Sequence, residues 1–293
     1  VFAVLAVLPG SPAQVILGTQ ATPSAVHALS AKLGLDQPLW ERYARWVGGL
    51  VTGHLGRSYI SGRPIAGQIG SALQVTGPLV GLGLVVGLAV ALPLGVLGAL
   101  RHRRPSGVAI SAASQVGIAV PNFVAGILLI IVFAVALHLL PAGGFTPWAV
   151  APVTAIRSLA LPAVALGVVE GAILSRYVRS AVLDVLRSDY LRTARAKGLR
   201  PAQALWRHGL RNAAVPVVTV LGLEVAGLIV GAVVVENVFT LPGVGTLLLQ
   251  SVQNRDLLTV EDIVMMIAGV VLVVNLLVDL SYHLLDPRIG ARA

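Results

Sequence analysis

Charge is absent from long stretches of this chain. No Asp, Glu, Lys or Arg falls between Arg63 and Arg101, and none from Pro105 to Ile156. Such runs are far longer than the roughly ten-residue alternating strands of a membrane barrel, and they suit helices of about 20 apolar residues. On this pattern spans are expected at residues 76–100, 107–140, 158–178, 213–235 and 262–284. The run 107–140 is expected to be one long helix bent near Pro121–Asn122. At about 1.5 Å per residue it outruns a hydrocarbon core about 30 Å thick, so it must tilt or protrude. VFAVLAVL at residues 1–8 lacks the basic lead-in of a signal peptide and is taken as the outer end of a further span that begins upstream. The expected fold is an all-α integral membrane protein. It has six transmembrane helices, the first truncated at its N-terminus, in one transmembrane domain over residues 1–293.

The polar positions lie between these runs. Residues 9–63 form the most soluble-looking stretch, and the whole segment 9–75 between spans 1 and 2 is expected outside the cytoplasm. Within it, TPSAVHALSAKLGL predicts a helix capped by Thr22 or Ser24, with Val26, Leu29 and Leu33 on one face. LWERYARWVGGL predicts an amphipathic helix with Leu39, Tyr43, Trp46 and Leu50 together, a pattern that suits the membrane interface. Residues 179–212 make a large inner loop, expected as two short helices broken at Gly198 and Pro201. Residues 236–261 make the last outer loop.

Composition agrees with the pattern. The chain is 56% hydrophobic and 11% charged, with mean hydropathy +0.89, where soluble domains average about 25% charged residues. The formal net charge is +9, and its distribution decides its meaning. Many cations sit in RHRRP after residue 100 and in the segment 189–216, where Arg192, Arg195, Lys197, Arg200, Arg207 and Arg211 oppose only Asp189. Clustered loop cations orient a membrane protein, so both loops and both termini are placed in the cytoplasm, with Arg288 and Arg292 at the inner end. Nucleic acid is not an expected partner; membrane lipid is. The surplus of cations in residues 9–63 runs against the rule, but long segments report orientation weakly. The chain has no Cys, hence no disulfide or thiolate metal site.

The chain carries little chemistry of its own. A phosphate-binding loop needs Gly-Lys-Ser/Thr, whereas Lys32 precedes Leu33 and Lys197 precedes Gly198. The histidines are scattered, with no His-Glu-x-x-His pair. No catalytic residue, metal site or cofactor is expected in this chain. Glu170 and Glu224 lie inside predicted spans, where a charge costs about 2.5 kcal/mol or more. Either they line a solute path or each is neutralised by a partner such as Arg176. Asn122 is either a kink facing that path or a packing kink, and Asp279 is a cap or a partner of Arg288 or an inner-loop Arg. Gly83/Gly87 and Gly227/Gly231 would allow close helix approach. A secondary transporter or channel would use Glu170 and Glu224 as proton or ion sites, and a scaffold would have both ion-paired.

The motifs narrow these readings. TARAKGL followed by LRNAAVP resembles the cytoplasmic coupling loop of ABC-importer permeases, in particular the first permease of the peptide/nickel branch that serves dipeptide and oligopeptide importers. LPGSPA, LGLDQPLWERYARWVGGL, LGRSYISGRPI, VVVENVFTLPGVGTLL, NRD and LLDPRIG resemble that branch in the same order. The resemblance implies a permease subunit of an ATP-driven importer in a bacterial cytoplasmic membrane, taking up di- or oligopeptides or a similarly delivered solute. It implies a second, related permease, two ABC ATPase subunits that hold the ATP and Mg, and an extracytoplasmic solute-binding protein.

The importer pattern Glu-Ala-Ala, three residues, Gly falls on Arg192, Thr193, Ala194 and Gly198, and its later Pro falls on Arg211. By the resemblance Tyr190, Arg192, Thr193, Ala194, Arg195, Ala196, Lys197, Gly198 and Leu199 couple to the ATPase. Glu170, Glu224 and Asn122 are the candidates for lining the path, with ion pairing and a packing kink as the open alternatives. Phe239, Pro242, Asn254, Arg255 and Asp256 meet the binding protein. Where the branch often reads Arg-Asp-Tyr-Pro, this chain has Arg255-Asp256-Leu257-Leu258, which puts the shape of that loop in question.

Overall fold

The computed structural model describes residues 2–7 and 11–285. The expectations on the LPG start of the first motif, on Arg288 and Arg292 and on the DPRIG ending lie outside the described residues. Within them the regular structure is helical, apart from a single bridge between Arg57 and Pro64. In order the helices are α1 (Phe2–Val7), α2 (Pro12–Leu17), α3 (Pro23–Leu33), α4 (Leu39–Thr52), α5 (Ile65–Leu100), α6 (Pro105–Ala119), α7 (Asn122–Leu129), α8 (Pro152–Arg187), α9 (Asp189–Ala196), α10 (Pro201–Ala204), α11 (Leu210–Val238), α12 (Val244–Gln253) and α13 (Leu257–Leu285). Thr22 caps α3, its side chain accepting from the Ala25 amide, and Gly34 closes that helix in the left-handed conformation.

Four helical runs are long and apolar enough to cross a membrane: Ile65–Leu100, Pro152–Arg187, Pro201–Val238 and Leu257–Ser281. The pair Pro105–Ala119 and Asn122–Ala136 makes a fifth span if counted as one. That pair corrects the expectation of a single bent helix over 107–140. The two pieces meet at 97°. Val120 is extended at ψ 116°, as a residue before proline tends to be, and Pro121 is extended at ψ 147° with no amide to give. Two consecutive non-helical residues turn the chain rather than bend it. By contrast Pro78, Pro93, Pro162 and Pro216 sit inside continuous helices.

Two more expectations change. The second inner-loop helix is not short: α10 passes through a π-helical turn, Leu205–Gly209, directly into α11. The outer loop over 236–261 is mostly helix, since α12 fills its middle and α13 begins at Leu257.

The chain divides into two compact units. Unit 1 comprises Val1–Thr76 and Pro242–Val270. Its core holds Ile65, Ile69, Ala72, Val244 and Ile263. The Thr76 hydroxyl accepts from the Val244 amide at 2.8 Å and so satisfies a free donor at the start of α12.

Unit 2 comprises Gly77–Leu241 and Val271–Ala293. Its central element is α8, which packs on α6, α7 and α11. In its most apolar stretch 72% of α8 is buried, against 28% for α5. Small residues set its distance from α5: a Cβ on Gly167 would lie 2.5 Å from the Gly83 carbonyl, and one on Gly171 2.8 Å from the Gly87 carbonyl. The Gly83/Gly87 pair is thus a close contact between backbones. Of the other pair, Gly231 is closely packed against Asn122 and Leu166, whereas Gly227 meets only Glu224 of its own helix.

Candidate functional site

The predicted coupling residues form α9 and the turn after it. Ser188, extended at ψ 149°, separates α9 from α8. Asp189 in the first turn and Arg195 in the last complement the helix dipole. One face is anchored. Leu191 is fully buried near Gly209, and the Tyr190 hydroxyl accepts from Asn212 Nδ2 at 2.8 Å. The other face is open: Arg192, Thr193, Arg195, Ala196 and Lys197 are exposed, while Ala194 and Leu199 are half-buried. Arg192 reaches Asp189 at 3.4 Å, a solvent-exposed pair that contributes little. Gly198 follows at φ 96°, a conformation that a side chain would strain, and lets the chain leave the helix at once.

The predicted path residues converge in unit 2. Glu170 on α8 is 5% exposed, its Oε1 has no hydrogen-bond partner, and the Glu224 side chain of α11 faces it. The alternative partner, Arg176, is exposed, with its guanidinium 5.2 Å from the Tyr177 ring centre. Asn122, the first residue of α7, packs against Gly231 beside Leu166, and its Oδ1 is buried without a partner. Gly231 lies seven residues beyond Glu224 and Leu166 four before Glu170, so each pair shares a helix face. The three polar residues therefore belong to one α7–α8–α11 junction, in which neither glutamate has a cation as its described neighbour.

Of the five residues expected to meet a binding protein, two are buried. Phe239 is fully buried against Gly126 and Gly143, which corrects its place as a contact residue: it anchors its turn instead. Asp256 is 4% exposed, and its carboxylate accepts from the Tyr59 amide at 3.1 Å and the Thr259 hydroxyl at 2.7 Å. It holds the start of α13 and is likewise a structural residue. Pro242 and Asn254 are exposed, and Arg255 is half-buried at φ 56°. In the Arg255-Asp256-Leu257-Leu258 sequence the turn is held by the Asp256 carboxylate through the Tyr59 amide and the Thr259 hydroxyl.

Some polar residues were missed by the sequence reading. Glu236 is fully buried, Glu261 is 5% exposed and Asp262 is 1% exposed. The Trp46 indole donates to Asp262 Oδ1 at 2.9 Å. Each acid sits at a predicted boundary between loop and span, where a charge passes as ordinary. The adjacent pair Glu261-Asp262 at the head of an apolar run was the available signal.

Comparison with known proteins fits this architecture. The family described as "Binding-protein-dependent transport system inner membrane component" matches residues 91–291. Its N-terminal companion, "Binding-prot-dependent transport system membrane comp, N-term", matches residues 1–76, the first segment of unit 1. A probable peptide ABC transporter permease protein, y4tP, of Sinorhizobium fredii is 37% identical over 99% of this chain and 92% of its own length. The glutathione transport system permease protein GsiC of Escherichia coli is also 37% identical, with the same coverage. Among solved structures, an inward-facing MetNI methionine ABC transporter chain superposes with TM-score 0.62 at 15% identity, covering 76% of this chain and 98% of that one. A chain of an amino acid ABC transporter with histidines gives TM-score 0.54 at 18% identity, over 73% and 92%. These two support the fold alone. By family match and near full-length identity, the chain belongs to the inner-membrane components of binding-protein-dependent transport systems, the permease subunits of ABC importers.

Proposed function

We propose that this permease carries di- or oligopeptides, or a similarly delivered solute, and that α9 is the element through which ATP drives it. The observation that carries this reading is α9 itself: a short helix tied down through Leu191 and Tyr190, with its basic face open and Gly198 ending it abruptly. A helix held on one side and bare on the other suits the groove of a partner. Two ABC ATPase subunits, which hold the ATP and Mg, close on nucleotide and move α9. The long helices on either side then shift between two arrangements, so access alternates without any reaction in this chain. A second, related permease completes the path. An extracytoplasmic binding protein delivers the solute, meeting Pro242, Asn254 and Arg255.

In this reading the permease has six spans in a bacterial cytoplasmic membrane, with both termini inside. Residues 9–75 and 236–261 lie outside and residues 179–212 inside. Glu170, Glu224 and Asn122 line the path and favour cationic groups there.

The absence of Cys gives a clean test. Ala196→Cys, exposed on α9, is paired with a single Cys in the groove of each candidate ATPase. A disulfide whose yield changes with ATP is expected. Uptake that persists without any ATPase, with no crosslink, would overturn the reading in favour of an ion-coupled carrier using Glu170 and Glu224.

A further inference from the structure

A cavity of about 320 Å³ lies within unit 1, and its walls combine both signs of charge with apolar surface. Arg42, Arg45 and Trp46 come to it from α4, Glu261 and Asp262 from the second turn of α13, and Tyr59 from the turn between α4 and α5. Phe2, Leu33, Leu55 and Leu258 supply the apolar part. The volume is at the lower end of the roughly 300–1,000 Å³ usual for ligand sites.

Asp262 is the unusual group. It is 1% exposed, and Trp46 satisfies only Oδ1, at 2.9 Å. Oδ2 is buried with no hydrogen-bond partner. Among the described residues neither Asp262 nor Glu261 has a cation within 4.0 Å. A buried carboxylate oxygen without a partner is costly, and each such case calls for a donor. Neither arginine supplies it, although both line the same cavity.

The chemistry of the walls selects the donor. Among the described residues no His, Asp and Glu group could hold a metal ion, and two arginines would repel a bare cation. A plain anion would meet the two acids. A molecule with both charges satisfies both pairs. Tyr59 adds a neutral hydroxyl, since burial raises its pKa above the ordinary value. We propose that the unit 1 cavity is a binding site for a small zwitterion, a free α-amino acid or a dipeptide. Its ammonium lies on Asp262 and Glu261, its carboxylate is directed to Arg42 and Arg45, and its side chain lies against the apolar wall. The site stands on unit 1 alone, so it requires neither the ATPases nor the Glu170–Glu224 junction.

The test uses the full chain in lipid nanodiscs and radiolabelled L-alanyl-L-alanine in equilibrium dialysis. Saturable binding is expected, displaced by L-alanine but not by N-acetylalanine, which lacks the ammonium. Losing a charged hydrogen bond should weaken binding at least about tenfold in Asp262→Asn. Arg42→Gln and Glu261→Gln should also weaken it, and they carry the test if Asp262→Asn does not fold. No saturable binding to folded protein would overturn the site. Unaltered affinity in the folded variants would place the ligand elsewhere and overturn it equally. Neither result bears on coupling through α9, which the ATPase crosslink tests separately.

Discussion

Gly167 and Gly171 illustrate how single residues fix this fold. Neither has an unusual backbone; each is small because another backbone is close by. A Cβ on Gly167 would lie 2.5 Å from the Gly83 carbonyl and 2.6 Å from the Val86 Cβ. No flexible side-chain end can yield there, so α5 and α8 would have to separate. Gly81 is the contrasting case, with nothing within 4 Å of an added Cβ. Gly167→Ala should therefore lower thermal stability in detergent by about 1–3 kcal/mol, the usual range for an overfilled contact. Gly81→Ala should leave it unchanged or raise it by up to about 1 kcal/mol, as alanine suits a helix better. Melting temperatures of the two variants, compared with the parent, check both. Equal effects would mean that the α5–α8 contact does not hold unit 2 together.

At the scale of elements, what could be read from the sequence depended on how local its cause was. The cap at Thr22, the amphipathic α4 and the stop at Gly198 are set by neighbouring residues, and all three are present. Helix lengths were underestimated for a physical reason. Hydropathy ends a span at its polar and charged residues, but backbone hydrogen bonding does not. α8 continues past the predicted residue 178 through Arg179, Asp184 and Arg187, and α5 begins at Ile65, running through Gln68, Ser71 and Gln74 before the predicted residue 76. The junction of Glu170 with Glu224 was legible only as two separate acids, since their meeting depends on how α8 packs on α11. The Gly198 turn provides an element-scale prediction. With φ 96° and open space around it, Gly198→Ala would meet backbone strain of about 1–3 kcal/mol but no clash. The spans should fold as before, judged by thermal unfolding, while the nucleotide-dependent crosslink from Ala196→Cys falls. A full crosslink yield would show that the turn is not needed to present α9.

For the whole molecule, the question is what drives transport. An importer permease and an ion-coupled carrier could share every span described here, and both could carry a buried pair of acids. They differ in what the acids do. In the ion-coupled carrier, Glu170 and Glu224 hold the coupling ion, and neutralising them abolishes uptake of every solute. In the proposed ATP-driven importer they would only favour positive charge in the path. Glu170→Gln should then raise KM for a lysine-containing peptide on the order of fivefold, which corresponds to about 1 kcal/mol for one screened charge. Uptake of a neutral peptide should be nearly unchanged. Uptake assays with both peptides separate the two mechanisms. They are repeated with an ionophore present and again with ATP depleted. Loss on ATP depletion, persistence with the ionophore and a charge-selective Glu170→Gln defect together assign the driving force to partner ATPases. Loss with the ionophore, and equal loss for both peptides in Glu170→Gln, would assign it to the glutamates, and α9 would then be a lipid-facing helix with no motor beneath it.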